Sequence, residues 1–172
     1  LTLLYGWKVA GIPKKVAEES RPLSIASVLV RSWHSSCHTL VPPPCGSQWA
    51  RPKTSILEAI ADWLGFKQTA GREVDLRTCF DSTMPETGRV ANIRRGVPSN
   101  IATLWAYSWQ GPRRCVVNGE QSRIIKPTRS IPQGCSGAAD TACSVLALWD
   151  AHMHTHHPEV GAWAYIDDRT IG

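Results

Sequence analysis

Read for its apolar positions, the chain separates into short runs bounded by turn residues and longer runs at helical spacing. The first fifty residues are rich in proline and basic side chains, with Gly11-Ile12-Pro13-Lys14-Lys15 and Arg21-Pro22-Leu23-Ser24-Ile25. Such a segment predicts strands and turns rather than long helices. Val41-Pro42-Pro43-Pro44-Cys45-Gly46 reads as a stiff linker. After it, Ser55-Ile56-Leu57-Glu58 opens a helix with a capping box. Ile56, Ile60, Trp63 and Leu64 then repeat at helical spacing as far as Gly65, which predicts a helix packed on the core.

The second half is more regular. Val74-Asp75-Leu76 is a short apolar strand carrying an acid, followed directly by a helix start. Ser82 or Thr83 is placed to cap a helix running to about Arg95, where Gly96-Val97-Pro98 stops it. Ile101 to Trp109 is amphipathic, with Leu104, Trp105 and Trp109 expected to face inward. Asn118-Gly119 after Cys115-Val116-Val117 predicts a hairpin, with Arg123-Ile124-Ile125 returning. Ser130-Ile131-Pro132-Gln133-Gly134 is a polar turn. From Ala138 to about Met153 the chain is apolar on most sides, predicting a buried helix through Val145, Leu146, Leu148 and Trp149. Trp163-Ala164-Tyr165-Ile166 and Arg169-Thr170-Ile171 flank Asp167-Asp168, a hairpin with acids at its tip. Helices and antiparallel strands mix without βαβ alternation, so the expected class is α+β, an antiparallel sheet covered by helices.

Composition narrows the class. With 172 residues, 42% hydrophobic and 19% charged, the chain is long enough for one domain with a real core. No apolar run approaches a membrane span, so no membrane partner is expected. The start at Leu1, without Met or a basic flank, and the stop shortly after Asp168 read as a piece of a longer polypeptide. The net charge of +5 favours a polyanionic partner. Between Arg89 and Arg129 stand eight Lys or Arg against the single acid Glu120, so one basic face is expected there. An ordinary solvated face is the alternative. The six cysteines form no Cys-x-x-Cys pair, which predicts reduced thiols in an intracellular compartment rather than a zinc ribbon. His34, Cys37, His38 and Cys45, and the group His152, His154, His156 and His157, lack a metal-ligand spacing and read as structural.

The acids carry the chemistry. Adjacent carboxylates on a tight turn repel one another, and an acid within a buried strand is costly. Hard oxygen ligands of this kind suit Mg²⁺, whereas a solvated Asp-Asp turn is the ordinary alternative. Taken together, Asp75 in its strand with Phe80-Asp81 behind it, then Pro132-Gln133-Gly134, then Tyr165-Ile166-Asp167-Asp168, resemble the reverse transcriptases. The resemblance is particularly to the enzymes of non-LTR retrotransposons and group II introns, whose palm carries these motifs in this order, and it spans nearly the whole chain.

The resemblance implies a palm, an antiparallel sheet packed on helices, at about 73–89 and 131–172, with fingers at about 1–72 and 90–130. The thumb would lie beyond residue 172, so this piece alone is expected to be inactive. It implies two-metal nucleotidyl transfer of a dNTP onto a primer 3′-hydroxyl, with RNA as template and DNA as primer. Asp75, Asp167 and Asp168 would be the catalytic residues and the ligands of two Mg²⁺ (or Mn²⁺) ions. Phe80 would exclude a ribose 2′-hydroxyl, where RNA-dependent RNA polymerases place an Asp. Asp81, one position later, reads as a helix cap or structural acid. Gln133 and Gly134 would position the nucleotide, and Lys14 and Arg21 would hold triphosphate or template. The usual Ser-Pro after Pro-Gln-Gly is replaced by Cys135-Ser136-Gly137, which alters the entrance of the next helix. The competing readings are a viral-type RNA-dependent RNA polymerase and a non-catalytic nucleic-acid-binding remnant of a decayed element.

Overall fold

The computed structural model describes residues 7–13, 20–42, 57, 60, 64, 72–76, 78–117, 119–165 and 168–171. For residues 12–13, 20–22, 38, 72–75, 165 and 168–170 the description is of the backbone. In chain order the elements are β1 (Trp7–Pro13), β2 (Ser20–Ala26), α1 (Val28–His38), β3 (Arg72–Asp75), α2 (Cys79–Ser82) and α3 (Pro85–Arg94). Then come α4 (Ser99–Trp109), β4 (Arg113–Val117), β5 (Glu120–Gln121), α5 (Ser136–His156), β6 (Ala162–Tyr165) and β7 (Asp168–Ile171). The described strands form two sheets, β2-β1-β4-β5 and β3-β7-β6. The fold is α+β, as the mixture of periods predicts.

The proline-rich opening does make strands. β1 and β2 pair antiparallel from Trp7–Ala26 to Pro13–Ser20. It also contains the eleven-residue helix α1, whose first turn is capped by Ser27 accepting from the Val30 amide. On its other edge β1 pairs in parallel with β4, Trp7 opposite Arg113. That parallel pair departs from the antiparallel expectation, because it joins strands a hundred residues apart and no local pattern announces it. The Asn-Gly hairpin forms, with Val117 opposite Glu120 and Gly119 at φ +85°. Its return is shorter than expected. The Ser122 amide still donates to Cys115 O at 2.9 Å, but Arg113 then pairs with Ile125, so one extra residue bulges from the returning side.

The helices pack through small residues and buried tryptophans. Helix α3 begins at Pro85, not at a Ser82 or Thr83 cap, because Ser82 closes α2 and the Thr83 hydroxyl turns back to Cys79 O at 2.8 Å. Proline at the first helical position sacrifices no amide that the helix needs. At its far end Gly96, at φ +98°, stops α3. Trp105 and Trp109 of α4 are fully buried and stacked, whereas Leu104 lies off that face and is 44% exposed. On α5 the buried residues run from Gly137 to Ser144, and the larger Val145, Leu146 and Trp149 are only half-buried. The reason is close approach. A Cβ at Gly137 would lie 3.0 Å from the Trp105 ring, and one at Gly88 would lie 2.5 Å from the Thr141 methyl. Between α3 and α5, Asn92 donates to Thr141 and accepts from Ser144, so the amide of Asn92 finds partners within that tight seam.

Ile60 and Leu64 are helical, as their spacing predicts, but both are exposed rather than part of the core, and Ile56 and Trp63 lie outside the described residues. Periodicity identifies an apolar face without specifying what covers it. No helix among the described residues is long and apolar enough to cross a membrane.

Candidate functional site

Strand β3 lies against β7, and β7 against β6. In that register Asp75 is opposite Asp168, and Asp168 is opposite Tyr165. Directly opposed positions of an antiparallel pair share one face of the sheet and are nearest cross-strand neighbours, where like charges repel. Two acids expected to act together, 93 residues apart in sequence, therefore occupy one register position of the three-stranded sheet. Asp167 lies outside the described residues, as does Lys14. Arg21 is opposite Ile12 in the β1–β2 pair.

The short helix α2 follows β3 and is entered through Thr78, whose φ of +53° turns the chain sharply. Phe80 is half-buried and packs on the hydrophobic core. Asp81 is not a cap, since Thr78 occupies that position. It lies in the first turn of α2 and accepts a hydrogen bond from Ser130 Oγ at 3.1 Å.

Residues 130–134 are more buried than a polar turn would be, with Ile131 and Pro132 sealed from solvent. The amides of Ser130 and Ile131 donate to the carbonyls of Thr83 and Phe80, both at 2.9 Å. On the other side Ser24 N donates to Gln133 O at 2.6 Å, tying this segment to β2. Gly134 has φ +100°, and a Cβ there would lie 2.6 Å from Ser24 O. Both the conformation and the close approach require glycine, and what approaches is the backbone of β2. Gln133 is half-buried and lines a cavity of about 210 Å³, together with Ser24, Asp81, Arg113, Arg129 and Ser130.

The basic stretch does not form one face. Arg113 is buried, its two terminal nitrogens donating to Ser130 and to Trp109 O. Burial pulls its guanidinium below the ordinary arginine range, and the charge of Asp81 pushes back. The Arg95 side chain is also buried, donating to Asp140 O at 3.0 Å and pairing with the Asp140 carboxylate at 3.6 Å. Arg89 is paired with Glu86, and Arg114 donates to Gln121. Arg94, Arg123, Lys126 and Arg129 are exposed. Counting charges along the sequence thus overstates the cationic surface, because two of the arginines serve as interior hydrogen-bond donors.

Sequence reasoning missed Arg113 and Ser130 as a unit. A strand opening with Arg113-Arg114 must turn one arginine inward, and that alternation was the available signal. It missed Cys135 as well. The Cys135 thiol lies 2.8 Å from Nδ1 of His34 and accepts from Trp109 Nε1, in the core. Burial lowers the His34 pKa to about 4 and raises that of Cys135. His34 is therefore neutral and structural, as its lack of a ligand spacing suggests. No metal-holding group of three or more His, Cys, Asp or Glu side chains occurs among the residues whose side chains are described. Among the described residues, Cys37, Cys79, Cys115, Cys135 and Cys143 form no disulfide with one another.

No family model matches the chain, and no curated protein matches it in sequence. Solved structures do match. Apo telomerase from Candida tropicalis, truncated from its C-terminal domain, superposes on 98% of the chain with a TM-score of 0.61 and 12% identity. Telomerase from Candida tropicalis in complex with a TWJ fragment of telomeric RNA gives a TM-score of 0.65 at 11% identity, again over 98% of the chain. Telomerase from Candida albicans in complex with the same kind of fragment gives 0.54 at 10% identity over 96%. The chain spans 43%, 36% and 37% of those three chains respectively. The fold is thus reverse-transcriptase-like.

Proposed function

We propose that this chain is polymerase core from an RNA-directed DNA polymerase of a retroelement, adding dNTPs to a DNA primer on an RNA template. The single observation that carries the reading is the register that sets Asp75 opposite Asp168. Two acids as direct cross-strand neighbours destabilise a sheet unless a cation lies between them. That donor set, oxygen-only and doubly anionic, fits Mg²⁺ or Mn²⁺. Asp75 and Asp168 would hold the metal pair, with Asp167 of the same acidic turn as third ligand. When bound, the ions supply charge neutralisation at the reacting phosphate and activation of the primer hydroxyl.

The chain's own groups do the rest. Phe80 stands five residues after Asp75, on a helix whose carbonyl ladder is tied to Ile131, so the ring is held from two sides. A fixed ring there would exclude a 2′-hydroxyl and select deoxynucleotides. The likeness in fold to telomerases, two of them solved with RNA fragments, supports nucleic acid as the partner. Gln133, fixed through its carbonyl by β2, would orient the incoming base with its amide. Asp81 is engaged by Ser130, which disfavours the ribonucleotide reading in which an acid is kept for the sugar.

The test is primer extension by the full natural polypeptide with Mg²⁺. Asp168→Asn and Asp75→Asn should each lower extension by about a thousandfold or more, because metal clamps of this type supply several kcal/mol. Extension that survives both changes overturns the reading. Phe80→Val should raise ribonucleotide incorporation by one to three decades, roughly 2–4 kcal/mol of lost discrimination. Equal use of both sugars by wild type and variant would instead favour an RNA polymerase.

A further inference from the structure

Three segments distant in sequence meet at Ser130, and one guanidinium holds them. Arg113 Nη1 donates to Ser130 Oγ at 3.0 Å, and Nη2 donates to Ser130 O at 2.9 Å and to Trp109 O at 3.1 Å. Ser130 Oγ–H in turn donates a hydrogen bond to Asp81 Oδ1 at 3.1 Å. Arg113 belongs to β4 of the four-stranded sheet, whereas Asp81 sits on the helix that follows β3 of the other sheet. The contacts therefore link the four-stranded sheet, through a single hydroxyl, to the helix that follows β3.

Ser130 itself is strained. Its φ is +95°, a region that residues with a side chain rarely enter. Such a conformation persists only where its surroundings impose it. The imposing contacts are the guanidinium on its carbonyl and hydroxyl and the Thr83 carbonyl on its amide. Three residues further on, Gln133 reaches the cavity that Asp81, Arg113 and Ser130 also line.

We propose that Arg113 is a positioning residue for the incoming nucleotide, holding Ser130 in the left-handed conformation that aims Gln133 and, through Asp81, steadying the helix that carries Phe80. The proposal rests on the polymerase reading above. A lysine cannot replace the arginine here, because a single ammonium lacks the planar fork that reaches the Ser130 hydroxyl, its carbonyl and the Trp109 carbonyl together. The buried charge also explains why Asp81 is present. Without an acid at the far end of the relay, the guanidinium would be desolvated with no anionic counterpart nearby.

The test uses the full natural polypeptide and reads nucleotide kinetics alongside amide hydrogen exchange. Arg113→Lys should raise KM for the dNTP by about tenfold while kcat stays within about threefold, as expected for lost ground-state positioning. Exchange at the Ser130 and Ile131 amides should quicken in the same variant. Ser130→Gly introduced into Arg113→Lys should recover most of the affinity, because glycine adopts φ near +95° without a clamp. A KM unchanged by Arg113→Lys, or one that glycine does not restore, overturns the proposal. Should Arg113→Lys fail to fold, Ser130→Ala carries the same test. It keeps the strain and removes the hydroxyl link, so KM must rise or the relay is not used. An unmodified polypeptide that extends no primer overturns the polymerase reading itself. Active wild type with unmoved KM in the variants overturns only the role of Arg113.

Discussion

Two buried polar clusters bracket the same six residues, and they are built on opposite principles. At Ser130 the cluster is charged: a guanidinium and a carboxylate joined by a hydroxyl, at the wall of a cavity. At Cys135 it is neutral and dry. Ser108 Oγ donates to Trp105 O, so it accepts from His34 Nε2–H, which leaves His34 Nδ1 to accept from the Cys135 thiol. Trp109 Nε1 donates to the same sulfur. Every proton in this second chain has one acceptor, and none carries charge.

The difference shows how one short segment can be both anchored and serviceable. A neutral network costs little to bury, provided it is complete, and so belongs at the start of α5 where the helix enters the core. A charged network costs more, and Arg113 Nε is left without a partner among the described residues. Such a cost is tolerated where the group also sets the geometry of a site. Between the two clusters, Gln133 and Gly134 are where the segment touches β2.

The largest effect should come from that midpoint. Gly134→Ala forces a Cβ to within 2.6 Å of Ser24 O at φ +100°. The strain and the collision together should cost about 2–5 kcal/mol in urea unfolding. If the segment joins the clusters as described, nucleotide affinity should fall along with stability. A variant of full stability would mean that the contact with β2 is loose.

How much of this was legible beforehand follows from the range of each interaction. The β6–β7 hairpin, the strand of Asp75 and the β4–β5 hairpin are local patterns that form close to where their residues predict, although Asp168 opens β7 instead of standing at the tip. The clusters are not local. His34 and Cys135 are 101 residues apart, and each alone looks like an ordinary core residue. Arg113 reads as one more cation in a basic stretch, and what buries it includes β1 and Ser130, both distant in sequence. Leu104 and Leu64 were misread for a related reason, since helical spacing marks an apolar face and not its partner.

Acid should separate the two clusters by a smaller amount. His34 has a pKa of about 4 in the fold against an ordinary 6.5, so the unfolded chain takes up the proton first. Its contribution is full above about pH 6.5 and is lost as the pH falls towards the folded value. Between about pH 7 and pH 5 this group alone should remove about 2 kcal/mol of stability. Unfolding curves for wild type and His34→Gln, taken across that window, should differ in slope by this amount. Equal slopes would mean that His34 is charged in the fold, and the neutral description of its cluster would be wrong.

The smallest effect distinguishes function from support. Cys135→Ser keeps a donor for His34 and an acceptor for Trp109, in nearly the same volume, though the shorter C–O bond stretches both contacts. Its cost should be about 1 kcal/mol or less, the range of a single buried hydrogen bond. Because the Cys135 cluster is sealed and neutral, nucleotide KM should not move. Ser130→Ala is the matched change at the other end, one oxygen removed where Cys135→Ser exchanges one atom, and there KM should rise even if stability falls no further. Measuring both quantities for both variants gives four numbers, of which only the KM of Ser130→Ala should stand apart. If Cys135→Ser shifts KM as strongly, the two ends of the segment are one mechanical unit. The distinction between a charged site wall and a neutral anchor would then fail.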